Sequence, residues 1–543
     1  MLGVSGALDC ALPAIQGILP AGASVNFVRT VAPNSSFEIP PGNIAYPISP
    51  VGLPSLCAVS ARVQSSGNTS FGFGLFLPSH WNGRFLAVGN GGFAGGINWL
   101  DMATGTRYGF ASMSTDTGHN SSIVDGRWAY QQPETVKDWG YRAMHGSVVT
   151  AKHITEAFYA KKPSYSYYSG CSTGGRQGLK EAEVFPEDFD GIVAGAPSWW
   201  PAHLQAWTIR LALYNLPQMA AHHIPPELFP AIGAEVLKQC DAPDGLADSI
   251  ISDPYGCNFR PEALLCGANV GDPTAAGCLT SPQIDTLDKI YNAWVESNQT
   301  FVFPHIAPGS EPGWAVWLLN STNSPHTFGT HYVKYFLGLG PEWDFWKLDE
   351  SVIALADRLD PGNSSVGFDL SAFHKKGGKI LSYHGLADSL IPAGSTPYFY
   401  NRVYRTLKPK GIELDDFFRF FLVPGMGHCA GSHTSFNASW YFAGSSQASV
   451  LGLTVHGVPG FSDAKHDVLL ALMDWVEKGT APDSIIATRY ANDTEHTAVS
   501  SQRPLCMYPK QAKYKGTGDQ NDAGSWECKL PYDQSCYQAS QAS

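Results

Sequence analysis

No apolar run in this sequence reaches the roughly 18–20 residues needed to cross a bilayer, so nothing in it reads as a transmembrane helix. It also lacks any run of lysine and arginine. With 35 basic against 47 acidic residues the formal charge is −12, the wrong sign for tracking nucleic acid or anionic lipid. Neither nucleic acid nor a membrane is therefore an expected partner. The glycine-rich stretch Gly89 to Gly96 has no Walker lysine behind it and no G-x-G-x-x-G order, which argues against a phosphate cradle. The opening residues, Met1-Leu2-Gly3-Val4, lack the basic stretch of a secretion signal, so the chain reads as a mature form whose leader has been removed.

What is present points to an oxidising compartment. There are 11 cysteines, a number that suits disulfides more than free thiols. N-x-S/T sequons occur at Asn34, Asn68, Asn120, Asn298, Asn320, Asn363, Asn437 and Asn492. Single triplets arise by chance, but together with the cysteines they favour a secreted glycoprotein. The 543 residues, 44% hydrophobic and 12% aromatic, hold more core than one domain usually needs, and two units with one inserted in the other would fit.

The order of elements carries the fold class. Residues 59–64 and 71–78 read as strands of an N-terminal hairpin or meander. Short apolar runs at Arg84 to Val88, Gly109 to Ser114, Tyr165 to Ser169 and Gly191 to Gly195 then alternate with helical spacing at Glu134 to Tyr159 and Gly175 to Val184. Such alternation predicts an α/β domain with a largely parallel sheet. The rhythm vanishes after Trp200 and returns at Lys379 to Tyr383 and Phe417 to Val423, closing with a helix over His466 to Lys478. The predicted organisation is a catalytic domain over 1–202 and 374–543, interrupted by a lid domain over 203–373 that is rich in Trp, Pro and Gly.

Gly170-Cys171-Ser172-Thr173-Gly174 is a G-x-S-x-G pattern lying between a strand and a helix, where a nucleophile elbow must be. A serine hydroxyl needs a base, and the base needs an orienting carboxylate. In an α/β-hydrolase these follow in the order Ser, Asp, His at the ends of later strands. Asp388 follows the strand ending at Tyr383, and His428 follows the strand ending at Val423. His384 is the rival histidine, but it precedes the acid. Asp463 and Asp467 come after His428 and read as solvated charges. The backbone N–H of Thr173, with one from Gly91 or Gly92, is the expected oxyanion hole. Ser172 and His428 each have a cysteine as neighbour, so if they meet, Cys171 and Cys429 come within bonding reach.

Cys171-Ser172, Asp388 and His428-Cys429 together resemble the CS-D-HC pattern of the tannase and feruloyl esterase family. The similarity extends to Trp81-Asn82-Gly83-Arg84-Phe85, to Gly174-Gly175-Arg176-Gln177-Gly178 and to Arg503-Pro504-Leu505-Cys506-Met507-Tyr508-Pro509. It implies an α/β-hydrolase with an inserted lid, secreted and glycosylated, that hydrolyses esters of phenolic acids as a serine esterase. It also implies a Cys171–Cys429 disulfide beside the catalytic pair. By chain order and resemblance the others pair as Cys10–Cys57, Cys240–Cys257, Cys266–Cys278 and Cys506–Cys528, leaving Cys536 over; sequence alone does not fix connectivity.

Members of the family bind calcium in the lid. The matching segment runs from Cys240 to Ile250, where the carboxylates of Asp241, Asp244 and Asp248 and the carbonyls of Leu246 and Ile250 offer the hard oxygen ligands that Ca²⁺ requires. The spacing is not that of an EF-hand, and a solvated acidic turn is the alternative. Within the family, a compact lid without a long dibasic-flanked insertion favours a feruloyl esterase acting on hydroxycinnamate esters of plant cell-wall polysaccharides; the alternative is a tannase cleaving galloyl esters. A silent binding module for wall polymers is a further alternative, which the complete triad disfavours. Trp207, Trp294, Trp314, Trp317, Trp343 and Trp346 are offered as rings to stack on a phenolic group, though each is individually a core residue by type. Monomer and homodimer both remain open.

Overall fold

The computed structural model describes residues 8–317, 323–452 and 457–531. Asn320 and Cys536 lie outside them, as does the side chain of Trp317. Nine strands build one sheet: β1 (Ala23–Val31), β2 (Leu56–Gln64), β3 (Ser70–Pro78), β4 (Arg84–Val88), β5 (Ala111–Thr115), β6 (Tyr165–Cys171), β7 (Gly191–Gly195), β8 (Lys379–Gly385) and β9 (Phe418–Val423). Their spatial order is β1-β2-β3-β5-β4-β6-β7-β8-β9. The first three pair antiparallel, as does β3 with β5. From β5 to β9 every pairing is parallel. This is the largely parallel α/β sheet that the alternation predicted, in the α/β-hydrolase architecture that the family resemblance implied.

Both faces of the parallel part are covered, which is why β5 and β7 are buried along their whole length. The two-residue period of a strand divides β4 between the two cores: Phe85 and Ala87 face one, Leu86 and Val88 the other. The first core is closed by helices α1 (Ala143–Tyr159) and α2 (Thr173–Val184), through Val148, Ala151, Ile154 and Leu179. The second is closed by Trp99–Arg107 and Val468–Lys478, through Trp99, Met102, Leu472 and Trp475. Among the described residues no helix is long and apolar enough to cross a membrane.

A third core belongs to the inserted segment. Helices Pro201–Asn215, Phe229–Cys240, Ser281–Ile290 and Glu350–Leu359 pack Trp207, Ile232, Leu287 and Ile353 together. Phe93, Leu390 and Ile391 from loops of the hydrolase domain, and Trp139 from the helical turn Asp138–Arg142, join the same cluster and seat the lid over the sheet's carboxyl end. The helix that enters the lid begins at Pro201, just before position 203. At the other end Val366, Leu370 and Phe373 pack under the sheet instead of in the lid.

Two details differ from the sequence expectation. Strand β1 was not anticipated, because it is an edge strand whose side chains are mostly half-exposed or exposed and show little hydrophobic alternation. Asp467 is not a solvated charge. It is 1% exposed and accepts hydrogen bonds from the N–H groups of Leu469 (2.9 Å) and Leu470 (3.1 Å), capping the last helix. Burial pushes its pKa up to about 7.

Candidate active site

Strand β6 runs straight into α2, and Ser172 sits between them at φ 62° and ψ −124°. A non-glycine residue there costs of order 1–3 kcal/mol and persists only if its surroundings hold it. Here they do. Ser172 N–H donates to Gly195 O (3.0 Å), and its carbonyl accepts from Arg176 N–H (3.0 Å) and Ser198 N–H (3.1 Å). The glycines of the motif follow from close approach: a Cβ on Gly170 would lie 2.6 Å from the Gly174 backbone, and one on Gly174 3.2 Å from Gly89 Cα. Arg176, fully buried, fastens α2 to neighbouring loops by donating to Gly140 O (2.7 Å) and Ser364 O (3.3 Å). Its guanidinium lies over the Trp139 ring, and burial lowers its pKa to about 10.

Asp388 is wholly buried, and both its oxygens are occupied. Oδ1 accepts from the N–H groups of Leu390 (2.8 Å) and Ile391 (2.9 Å), while Oδ2 lies 2.7 Å from His428 Nδ1 and 3.2 Å from His384 Nε2. Burial alone would raise the pKa of this carboxyl. The charge of His428 and hydrogen bonds from His384 and His428 outweigh it and hold the group well below the usual carboxylate range. An ionised Asp388 keeps the proton of His428 on Nδ1, leaving Nε2 as the acceptor a general base needs. His384, the rival histidine, is buried with Nδ1 2.7 Å from Thr396 Oγ1 and supports Asp388 from its other side. That role was missed in the sequence, although its position four residues before Asp388 was the available signal.

The cysteines close this corner. Cys171 and Cys429 form a disulfide with Cα atoms 6.0 Å apart across 258 positions of sequence, joining the serine elbow to the histidine loop. Cys10–Cys57, Cys240–Cys257, Cys266–Cys278 and Cys506–Cys528 are also bonded.

Thr173 opens α2, so its N–H is one of the unpaired donors at the helix start. Its hydroxyl donates to Gly92 O (3.0 Å), tying the elbow to the glycine-rich loop. The expectation for that loop needs correction at Gly91, whose N–H already donates to the Tyr46 hydroxyl (2.8 Å). Gly92, at φ 52°, faces the space beside Ser172 together with Thr173.

That space is a narrow pocket. Helix Pro201–Asn215 contributes Leu204, Gln205 and Thr208, the lid adds Phe328, and Ser198, Leu390 and Ile391 complete it. The lid tryptophans whose side chains are described do not line it: Trp207, Trp294 and Trp314 are core residues, Trp343 packs against that core, and Trp346 is exposed. Phe328 supplies the aromatic surface instead. A larger cavity of about 590 Å³, among Tyr255, Phe301, Tyr398 and Tyr508, does not include Ser172; the reactive groups, not the volume, mark the site.

The acidic lid segment folds as a loop closed by Cys240–Cys257. Asp241 accepts from the N–H groups of Ser249 (2.8 Å) and Ile250 (3.2 Å), and Asp244 from Leu246 N–H (3.0 Å) and Ser252 Oγ (2.6 Å). Asp248 pairs with Arg503, whose guanidinium stacks on Trp526. Burial raises the pKa of Asp241 and of Asp244, and the Asp248 charge adds to both. No three oxygens from these carboxylates come mutually within 4.8 Å.

The family model for tannase and feruloyl esterase matches residues 57–322 and 343–529. A probable feruloyl esterase B-1 of Aspergillus flavus is 34% identical over 510 residues, covering 93% of this chain and 92% of that protein. One from Aspergillus oryzae is 36% identical over 477 residues, covering 87% and 84%. The crystal structure of feruloyl esterase B from Aspergillus oryzae superimposes with a TM-score of 0.85 at 34% identity, covering 94% of this chain and 98% of that one. The tannin acyl hydrolase of Aspergillus niger gives a TM-score of 0.72 at 20% identity, a likeness of fold alone. With the family model spanning most of its length and relatives above 30% identity aligned nearly end to end, this chain belongs to the tannase and feruloyl esterase family.

Proposed function

We propose that this chain is a secreted feruloyl esterase, releasing hydroxycinnamic acids such as ferulic acid from esters on plant cell-wall polysaccharides, with Ser172, His428 and Asp388 as its catalytic triad. The observation that carries the reading is Asp388, a buried carboxylate hydrogen-bonded to His428 Nδ1 in a corner where a disulfide joins the histidine loop to the serine elbow. The names of the aligned relatives support the substrate class. Five disulfides among the described residues, and seven sequon asparagines that are all exposed, support secretion and glycosylation.

Hydrolysis proceeds in two acyl transfers. Ser172 Oγ attacks the ester carbonyl carbon as its proton passes to His428 Nε2, and Asp388 stabilises the imidazolium. The carbonyl oxygen, now an anion, takes hydrogen bonds from the N–H groups of Thr173 and Gly92. His428 gives the proton to the departing sugar oxygen, leaving the phenolic acyl group on Ser172. Water, deprotonated by His428, then attacks the acyl-enzyme and frees the acid. Phe328, Leu390 and Ile391 offer an apolar wall for the acyl ring, with Ser198, Gln205 and Thr208 as polar points on it.

A calcium ion is part of the proposal. The Asp241, Asp244 and Asp248 carboxylates, with the carbonyls of Leu246 and Ile250, fit it in donor type, and the Asp248 charge acts on Asp241 and Asp244 in addition to their burial, a repulsion that a cation relieves. Its contribution is charge neutralisation within the loop, away from the chemistry.

Methyl ferulate, methyl caffeate, methyl sinapate and methyl gallate, assayed side by side with wild type and Ser172→Ala, test the reading. The expected result is hydrolysis of the hydroxycinnamates by wild type only. Preference for the gallate would move the enzyme to the tannases, and activity retained in the variant would overturn the nucleophile.

A further inference from the structure

Helix α2 carries Ser172 at its start and a different group of side chains near its end. Glu181 lies nine positions beyond Ser172, about 13 Å at 1.5 Å per residue. It is 1% exposed, no N–H or hydroxyl donor faces its Oε2, and the group within its reach is the Asp188 carboxyl. Asp188, on the loop after the helix, and His145, on α1, converge on the same point, so that one ligand-type atom from each of the three lies within 4.8 Å of the other two. The His145 ring is stacked on Phe185 with centroids 3.6 Å apart and planes 8° from parallel, which fixes its aim, and Nδ1 is 2.6 Å from Asp188 Oδ2.

We propose that His145, Glu181 and Asp188 form a second metal site, for a first-row divalent ion with zinc foremost. One imidazole nitrogen and two carboxylate oxygens are a donor set such ions accept. The His145 side chain is 33% exposed, which provides an entry path from solvent. Metal entry forms three coordinate bonds, one from each of these side chains in its deprotonated form. Lys152, whose Nζ donates to the Asp188 carbonyl, and Lys376, paired with Asp190, are the cations nearby; the two carboxylates of the site balance the ion's own charge. The ion would pin the far end of the nucleophile helix to α1, apart from both the triad and the acidic lid loop.

Metal-depleted protein, kept in saturating Ca²⁺, is titrated with ZnCl₂ by calorimetry at pH 7, alongside His145→Gln and Glu181→Gln. The expected result is one Zn²⁺ per wild-type chain and a melting temperature raised by zinc. Each variant should bind about tenfold more weakly or worse. If Glu181→Gln fails to fold, His145→Gln decides, since its partly exposed ring contributes little to the core. Absence of binding at one ion per chain overturns the site. So does zinc affinity unchanged in His145→Gln, which would leave the ion to other histidines.

Discussion

Two groups of carboxylates in this molecule sit beside disulfides and meet opposite fates. Asp388 is fully buried and yet strongly acidic, because two backbone N–H groups and two histidines face its oxygens. Asp241 and Asp244 are less deeply buried, but their pKa values are raised, first by burial and then by the charge of Asp248, which the N–H and O–H donors they meet do not offset. Burial by itself does not decide the charge state of an acid; the donors it meets do. Around Asp388 every acceptor oxygen meets a protein donor. In the lid loop Asp248 is paired with Arg503, and among the described residues neither Asp241 nor Asp244 forms an ion pair of its own.

The comparison is sharpened first at the serine. Ser172→Ala is expected to lower kcat by roughly 10⁶ with an unchanged melting temperature, read from ester hydrolysis and a thermal scan. Asp388→Asn comes next. It keeps the shape but releases the His428 tautomer, and kcat should fall about 10⁴-fold. Changing Cys171 and Cys429 together to Ala removes the tie between elbow and histidine loop. A misplacement of about 1 Å costs on the order of 10²-fold, so kcat measured well below the melting transition should drop by up to that factor. If the double variant melts early but works normally when cold, the disulfide only stabilises.

The lid should behave in the opposite way. Asp244→Ala, or calcium removal by a chelator, is expected to lower the melting temperature by about 2–4 °C for each kcal/mol of binding energy lost, less in a chain this long, while kcat per folded molecule stays level. A chelator that leaves the melting temperature unmoved would reduce the loop to a solvated turn. The smallest effect lies in acid. The lowered pKa of Asp388 contributes stability that is present above the unfolded value near 3.9 and lost as pH falls toward the native one. The stability difference between wild type and Asp388→Asn should therefore shrink as pH falls below about 4.

The parts legible in the sequence were those with short-range signals. G-x-S-x-G reads as an elbow because only glycine tolerates the approach of Gly170 to Gly174 and of Gly174 to Gly89, and buried parallel strands announce themselves as continuous apolar runs. The order Ser172, Asp388, His428 follows from how successive strands of one sheet present their carboxyl ends. Each of these depends on a few neighbouring residues or on a topological rule, so composition and spacing suffice. Asp467 was misread because a capping aspartate and a solvated one look alike until the helix it caps is packed against the sheet.

Contacts between distant segments were beyond the sequence. Nothing local shows that Tyr46 occupies the Gly91 N–H, that His384 braces Asp388, or that Arg503 reaches the lid at Asp248. The lid tryptophans and Phe328 are equally aromatic on paper; three of the former fill the lid core while Phe328 faces Ser172, a choice made by how the inserted helices pack. Local pattern specifies backbone conformation, whereas a side chain's partner depends on which remote surface the folded chain brings within a few ångströms, and that is set only when the three cores close together.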